Sequence, residues 1–260
     1  MNDIKVIGTA IVNGVHWLKR LVDSVDYPTD IFVIFNNNGR GQITAELEEI
    51  KANKTNRFIK EIVICHMPTN IGCPAAWNLI IKSYITYSQW IIVNHDVAFT
   101  PGFLRVMMEK ASNTNTGIVF GQPGPHNIGM WDIFLIKDWV IDKFGLFDEN
   151  FYPAYCEDID YVMRLINFDP IKDYVNLPYY HGETTEYSQS GSQTWRNDLD
   201  IKSKIDYGRW LNENVYMKQK WGDSWRSCAV YKYPFNDNML KDSGYYKYDI
   251  NYIRQKYIGF

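Results

Sequence analysis

The 260-residue chain has only four cysteines, Cys65, Cys73, Cys156 and Cys228, and no two of them stand in a C-x-x-C pair. Their spacing matches no zinc pattern. It reads as reduced thiols of a cytosolic protein. There is no excess of positive charge. Lys and Arg total 27 against 30 Asp and Glu, a net charge of −3, which argues against a nucleic-acid partner held by bulk charge. Long apolar runs are absent too. Stretches such as Ile31–Phe35 and Ile91–Val93 are strand-sized, far short of the roughly 20 residues that a membrane helix needs. Met1 to Lys5 carries charges and opens no apolar core, so no signal peptide and no transmembrane segment are expected, and the protein is expected to be soluble and cytoplasmic. No internal repeat or low-complexity linker divides the chain, so one continuous domain is expected over residues 1–260. What is present is an ordinary globular balance, 46% hydrophobic and 22% charged. Aromatics are plentiful at 16%, with 19 Tyr and 9 Trp.

The first half alternates strand and helix. Ile4–Val12 reads as a buried strand and Val15–Val25 has helical spacing. Ile31–Phe35 is a second strand, ended by Asn36-Asn37-Asn38-Gly39. A helix over Ile43–Lys51, a strand over Glu61–Cys65, a helix over Ala75–Tyr87 and a strand over Trp90–Val93 follow. Strands separated by helices predict a mainly parallel central sheet flanked by helices on both faces. Such sheets bind ligands at the C-terminal ends of their strands, where Asn13, Asn36–Asn38, Asn70–Gly72 and Asn94–Asp96 all fall. The second half is less regular. Thr116–Phe120, Trp131–Ile136 and Tyr174–Tyr180 read as strands, and Trp139–Phe144 and Asp158–Ile166 as helices. Ser188–Ser192 is small and polar and reads as a mobile loop. From about Trp195 the chain reads as helix and then a Tyr-rich tail.

Four groups of residues suit chemistry. In Asn94-x-Asp96, directly after an apolar strand, a carboxylate is placed to hold a hard divalent cation, although Asx residues there also simply build turns. In Glu157-Asp158-x-Asp160, crowded carboxylates raise each other's pKa, which suits a general base. An acidic helix N-terminus explains the same pattern, and is the preferred reading for Asp160. His181, followed by Gly182 at a strand end, is either a ligand or a satisfied structural histidine. The Asn-rich loops can line a base and ribose or merely form turns.

Taken in order, these pieces resemble glycosyltransferase family 2 of the GT-A fold, the Rossmann-like fold of nucleotide-diphospho-sugar transferases, in its rhamnosyltransferase-like branch. The resemblance runs from about Ile4 to Asn236. Trp17–Val25 looks like the family's first helix. Asn70-Ile71-Gly72 followed by Asn78 is similar to its N-x-G…N element. Asn94-His95-Asp96 stands where the family has D-x-D. Gly145-Leu146-Phe147-Asp148-Glu149-Asn150-Phe151, continuing through Tyr155-Cys156-Glu157-Asp158-Ile159-Asp160 to Arg164, is the most specific match. His181-Gly182 matches a later histidine, and Lys220-Trp221-Gly222 and Pro234-Phe235-Asn236 resemble a tail of related enzymes. Two departures stand out: Asn94 replaces an acid, and Asn36–Asn38 replaces the acid usual after the second strand.

The resemblance implies an inverting transferase that moves a sugar from a nucleotide diphosphate sugar to a hydroxyl of a saccharide or glycoconjugate. Residues 1–100 would form the donor half, 101–195 the acceptor and catalytic half, and 196–260 a helical, Tyr-rich extension. Asp158 would be the base, tuned by Glu157. Asp96 and His181 would hold Mn²⁺ or Mg²⁺. Asn13, Asn36, Asn70, Gly72, Asn78 and Asn94 would line the donor, and Trp131 would stack on a sugar or pack in the core. Two rivals are a catalytically silent sugar-binding module, opposed by the intact Asp96, Glu157, Asp158 and His181, and a sugar-1-phosphate nucleotidyltransferase. The latter usually needs a Gly-rich basic loop after the first strand, where this chain has Ile11-Val12-Asn13-Gly14-Val15-His16.

Overall fold

The computed structural model describes residues 3–39, 41–123, 130–165, 172–183, 192–196 and 198–223. The expected tail, with Pro234-Phe235-Asn236, and the expected loop up to residue 191 lie outside the described residues. In chain order the elements are β1 (Ile4–Ile11), α1 (Val15–Ser24), β2 (Thr29–Asn36), α2 (Thr44–Ala52), β3 (Ile59–His66), α3 (Cys73–Ser83), β4 (Gln89–Val93), β5 (Val97–Phe99), α4 (Phe103–Ala111), β6 (Ile118–Phe120), β7 (Ile133–Lys137), α5 (Asp138–Phe144), α6 (Glu157–Leu165), β8 (Lys172–Tyr174), β9 (Tyr179–His181), α7 (Gln193–Arg196), α8 (Leu199–Leu211), a π-helical turn (Asn212–Tyr216) and α9 (Met217–Trp221).

Seven strands form one sheet in the order β3-β2-β1-β4-β7-β6-β8. Only β7 runs against the others, pairing antiparallel with both β4 and β6. The remaining pairs are parallel. The expected mainly parallel α/β sheet is therefore present. Alternate side chains of each central strand enter opposite cores. Ile91 and Val93 of β4 join Ile7, Leu18, Phe103 and Met107 on one face. Trp90 and Ile92 join Trp77, Ile80, Phe134 and Tyr161 on the other. Burial on both faces explains why these strands read as unbroken apolar runs. Helix α3 lies so close to β1 that a Cβ on Gly8 would stand 2.4 Å from Ile80 Cγ2. No helix among the described residues is long and apolar enough to cross a membrane.

Three local readings change. The strand expected over Tyr174–Tyr180 is two strands in different sheets, β8 and β9, separated by a connection containing Pro178, which has no N–H to continue a ladder. Helix α4 was not expected, although Phe103, Leu104, Met107, Met108 and Ala111 bury one face of it. Strand β5 is only three residues long, below what periodicity resolves. It pairs antiparallel with β9 in a separate ribbon, with Val97 opposite His181.

Candidate active site

The ribbon of β5 and β9 brings the end of β4 to the end of β9. Val97 N–H bonds back to Asn94 O at 3.2 Å in a tight turn, and Gly182 N–H donates to Asp96 O at 2.7 Å. Asp96, only 2% exposed, has Oδ1 3.3 Å from His181 Nε2. Its Oδ2 accepts the Gln193 backbone N–H at 2.7 Å. On the other side of the imidazole, Asp132 Oδ2 lies 3.2 Å from His181 Nδ1 and accepts the Tyr179 hydroxyl at 2.6 Å. Burial disfavours the imidazolium, but the two carboxylates outweigh it and raise His181 to about 10. Burial likewise works against the Asp96 carboxylate, and contact with His181 and the neighbouring His95 outweighs it, lowering Asp96 to about 2. Burial lowers His95.

These donors fit a cation. Both His181 ring nitrogens are buried and each lies within 3.3 Å of a carboxylate oxygen, with no hydrogen bond of good geometry. An imidazole nitrogen beside a carboxylate oxygen is a donor pair that suits Mn²⁺. Among the described residues no three His, Cys, Asp or Glu side chains form a metal cage. Among the described residues the donor set is Asp96 and His181, with Asp132 on the far side of the ring.

The loops after β1, β2 and β3 are laced together by carboxamides. Asn37 Nδ2 donates to Asn70 Oδ1 at 3.0 Å, and Ile71 N–H donates to Asn37 Oδ1 at 2.9 Å. Asn70 Oδ1 also accepts Gly72 N–H at 2.9 Å. Asn38 Nδ2 reaches Val12 O at 2.8 Å. Asn36 Nδ2 lies 2.9 Å from His66 Nδ1, and Asn36 Oδ1 accepts the Asn38 N–H at 3.2 Å. Asn13 Nδ2 donates to Thr194 O at 2.7 Å. Asn13, Asn36, Asn70 and Gly72 thus sit at the strand ends as expected. Asn37, which the sequence offered only as one member of a run, is the hub between two of these loops. Asn78 and Trp131 are placed elsewhere. Asn78 is 1% exposed and its amide is fully engaged, donating to Phe147 O and Glu149 Oε1 and accepting Phe147 N–H. It ties α3 to the Gly145–Phe151 loop. Trp131, 6% exposed, packs edge-on against Phe120, Phe134, Phe147 and Tyr161 at centroid distances of 4.9–5.4 Å. It is a core side chain, with no face free to stack on a sugar.

The acidic cluster begins α6. Glu157 is 5% exposed. Burial, then the neighbouring Asp158 charge, pushes it well above the usual carboxylate range, and the Cys73 thiol donates to it. Asp158 is half-buried. Burial raises it, partly opposed by backbone N–H groups such as that of Ile159, which donates to Oδ1 at 2.8 Å. Asp160 is structural, as preferred: its oxygens meet Arg164 at 2.8 Å, Lys220 at 2.7 Å and Trp221 Nε1 at 2.8 Å.

A short segment joins the two clusters. In Gln193–Arg196, Gln193 N–H holds Asp96, Thr194 O receives Asn13, and Trp195 Nε1 donates to Tyr155 Oη at 2.7 Å. Tyr155 is three residues before Asp158. The same loop meets the Asn70–Gly72 turn through Cys73 N–H, which donates to Pro153 O at 2.7 Å. Asp132 and Gln193 escaped sequence reasoning: the first carries no motif, and the second acts through its backbone.

No protein-family profile matches the chain. A curated relative, the galactofuranosyl glycosyltransferase of Leishmania donovani, is 22% identical over 277 aligned positions, covering 78% of this chain and 64% of its own. Crystal structures of similar fold include S. aureus TarS 1-349, with a TM-score of 0.53 at 14% identity over 69% of this chain and 60% of that one. The same TarS fragment in complex with UDP-GlcNAc aligns with a TM-score of 0.53 at 12% identity over 86% of this chain and 79% of that one. GalNAc-T7 with UDP, GalNAc and Mn²⁺ aligns with a TM-score of 0.60 at 10% identity over 98% of this chain and 56% of that one. The chain thus spans about two thirds or less of most of these proteins, and its fold is that of these glycosyltransferases.

Proposed function

We propose that the protein is an inverting glycosyltransferase that moves a sugar from a nucleotide diphosphate sugar to a hydroxyl of a saccharide or glycoconjugate. The observation that carries this reading is the Gln193–Trp195 bridge. It links the acid–imidazole pair at the end of β4 to the loop bearing a raised carboxylate. The donor of first choice is a UDP-hexose, since proteins of this fold include one in complex with UDP-GlcNAc and one with UDP and GalNAc, and a galactofuranosyl glycosyltransferase is a sequence relative. The motif order favours the rhamnosyltransferase-like branch of family 2 as the finer placement. The free thiols Cys65, Cys73 and Cys156 suit a reducing cytoplasm.

In this reading Asp158 accepts the proton of the attacking hydroxyl. A carboxylate with a raised pKa is a stronger base than an ordinary one. Burial raises the pKa of the neighbouring Glu157, which disfavours a second negative charge near the attacking oxygen. Asp96 and His181 would hold Mn²⁺ or Mg²⁺, which supplies Lewis-acid stabilisation to a diphosphate leaving group when bound. Asp132 orients the imidazole from its far side, as outer-shell carboxylates do. The Asn37–Asn70–Gly72 lattice, with Asn13 and Asn36, shapes the nucleotide end. One displacement without a covalent intermediate inverts the anomeric carbon.

The test is a panel of UDP-, GDP- and dTDP-sugars scored for nucleoside diphosphate release with and without Mn²⁺, and product anomers read by NMR. Release of nucleoside diphosphate with inverted product is expected. Retained configuration would overturn the single displacement, and no release from any donor would overturn the transferase reading.

A further inference from the structure

Immediately before α6, Tyr155 and Cys156 hold φ angles of 74° and 77°, where a side chain crowds its own backbone. Such a turn persists only when its surroundings over-determine it. The residues that do so come from the far end of the chain. Asn212, 3% exposed, donates from Nδ2 to Ala154 O at 3.1 Å and to Tyr155 O at 3.0 Å. Gly208 lies flush on the same loop, where a Cβ would stand 2.3 Å from Pro153 Cδ. The Arg209 guanidinium sits 5.0 Å from the Tyr155 ring centroid.

Asn212 opens the π-helical turn, and the burial pattern explains why the turn exists. The buried stripe of this helix runs Gly208, Asn212, Met217, Trp221. The steps are four, five and four residues, and the inserted residue is the π turn. It lets one helix face the strained loop through Gly208 and Asn212 and still drop Met217 and Trp221 into the cluster of Phe151, Cys156 and Met163. The lower part is anchored by Lys220, whose Nζ meets Asp148 at 2.6 Å and Asp160 at 2.7 Å.

We propose that Asn212 is a positioning residue for the base. By holding the carbonyls of Ala154 and Tyr155, it sets the direction in which the chain enters α6 and therefore where the Asp158 carboxylate stands. This rests on the reading of Asp158 as the base. Asn212 touches no reacting atom, so its loss acts on turnover and not on donor binding.

The experiment compares wild type, Asn212→Ala, Asn212→Ser and Tyr216→Phe in the full chain. Tyr216→Phe serves as a control because it removes a bond from the same helix to Asp148 and keeps both Asn212 bonds to the Ala154 and Tyr155 carbonyls. In Asn212→Ala, turnover of the donor selected by the panel should fall by about 10- to 100-fold with donor KM unchanged, the scale of a small misplacement. Hydrogen exchange at the amides of residues 155–159 should quicken at least about tenfold, whereas Tyr216→Phe should alter neither. Asn212→Ser retains one donor, should fall between Ala and wild type, and serves if the alanine variant does not fold. Turnover within twofold of wild type, unchanged exchange, or equal effects from Tyr216→Phe would overturn the proposal. Inactivity of the wild-type protein on every donor counts against the transferase reading and the base assignment that depends on it, whereas unchanged exchange counts against Asn212 alone, so the two failures are distinguishable.

Discussion

His181 stands opposite Val97 in the ribbon of β5 and β9, so its imidazole lies within 3.3 Å of Asp96 although 85 positions separate them. The antiparallel register alone makes this meeting, since neither residue is close to the other along the chain.

If this pair holds the cation, EDTA should abolish transfer and Mn²⁺ should restore it. His181→Ala should weaken Mn²⁺ binding about 10- to 100-fold, the range for disturbed ligation, as read by electron paramagnetic resonance of free Mn²⁺ as well as by rate. Full activity in EDTA would remove the metal from the mechanism, and an unchanged Mn²⁺ titration would remove only the histidine.

Asp158→Asn should lower transfer about 10²- to 10⁴-fold while UDP affinity, measured by calorimetry, stays within twofold. The base works deprotonated and burial raises its pKa. Wild-type activity should therefore rise with pH through a range above that of an exposed aspartate. A variant at near wild-type rate would strip Asp158 of the role.

Glu157 makes a stability prediction. Its folded pKa is raised, so the unfolded chain releases the proton first. The stability held below the ordinary carboxylate range is then lost as pH climbs toward the folded pKa. Glu157→Gln removes that loss. Its melting temperature should match wild type near pH 4 and exceed it near pH 8, and the reverse order would contradict a neutral buried acid.

Asn37→Ala breaks three side-chain bonds between the loops after β2 and β3, the longest of them to Gly72 O at 3.5 Å. Donor KM should rise about tenfold, the scale of one or two such bonds, with kcat nearly unchanged. A loss confined to kcat would move these loops away from the donor.

Asp160→Ala would leave both Lys220 and Arg164 without their shared buried carboxylate. The expected cost is about 3–5 kcal/mol in urea unfolding. A loss under about 1 kcal/mol would mean that the other contacts of the helix, among them Lys220 with Asp148 and the burial of Met217 and Trp221, are enough to hold it.

Much was legible from the chain itself. Apolar runs buried on both sides identified the parallel strands, and Asn-rich turns after them marked the open end of the sheet. The acidic start of α6 was legible as a local pattern, because Glu157 and Asp158 stand in its own first turn. Helix α4 was legible too, in the spacing of Phe103, Leu104, Met107, Met108 and Ala111. Other features had no local signal. Asn78 looked like a ligand contact and Trp131 like either a stacking face or a core residue, because side-chain chemistry does not reveal burial; the Phe147 backbone engages the first and the Phe147 ring packs on the second. The partnership of Asp96, His181 and Asp132, the backbone grip of Gln193 and the hold of Asn212 on the Tyr155 turn arise from contacts spanning 49 to 97 positions. Period and composition report neighbours along one element. Only the closing of the sheet, the short ribbon and the π turn decide which distant elements meet.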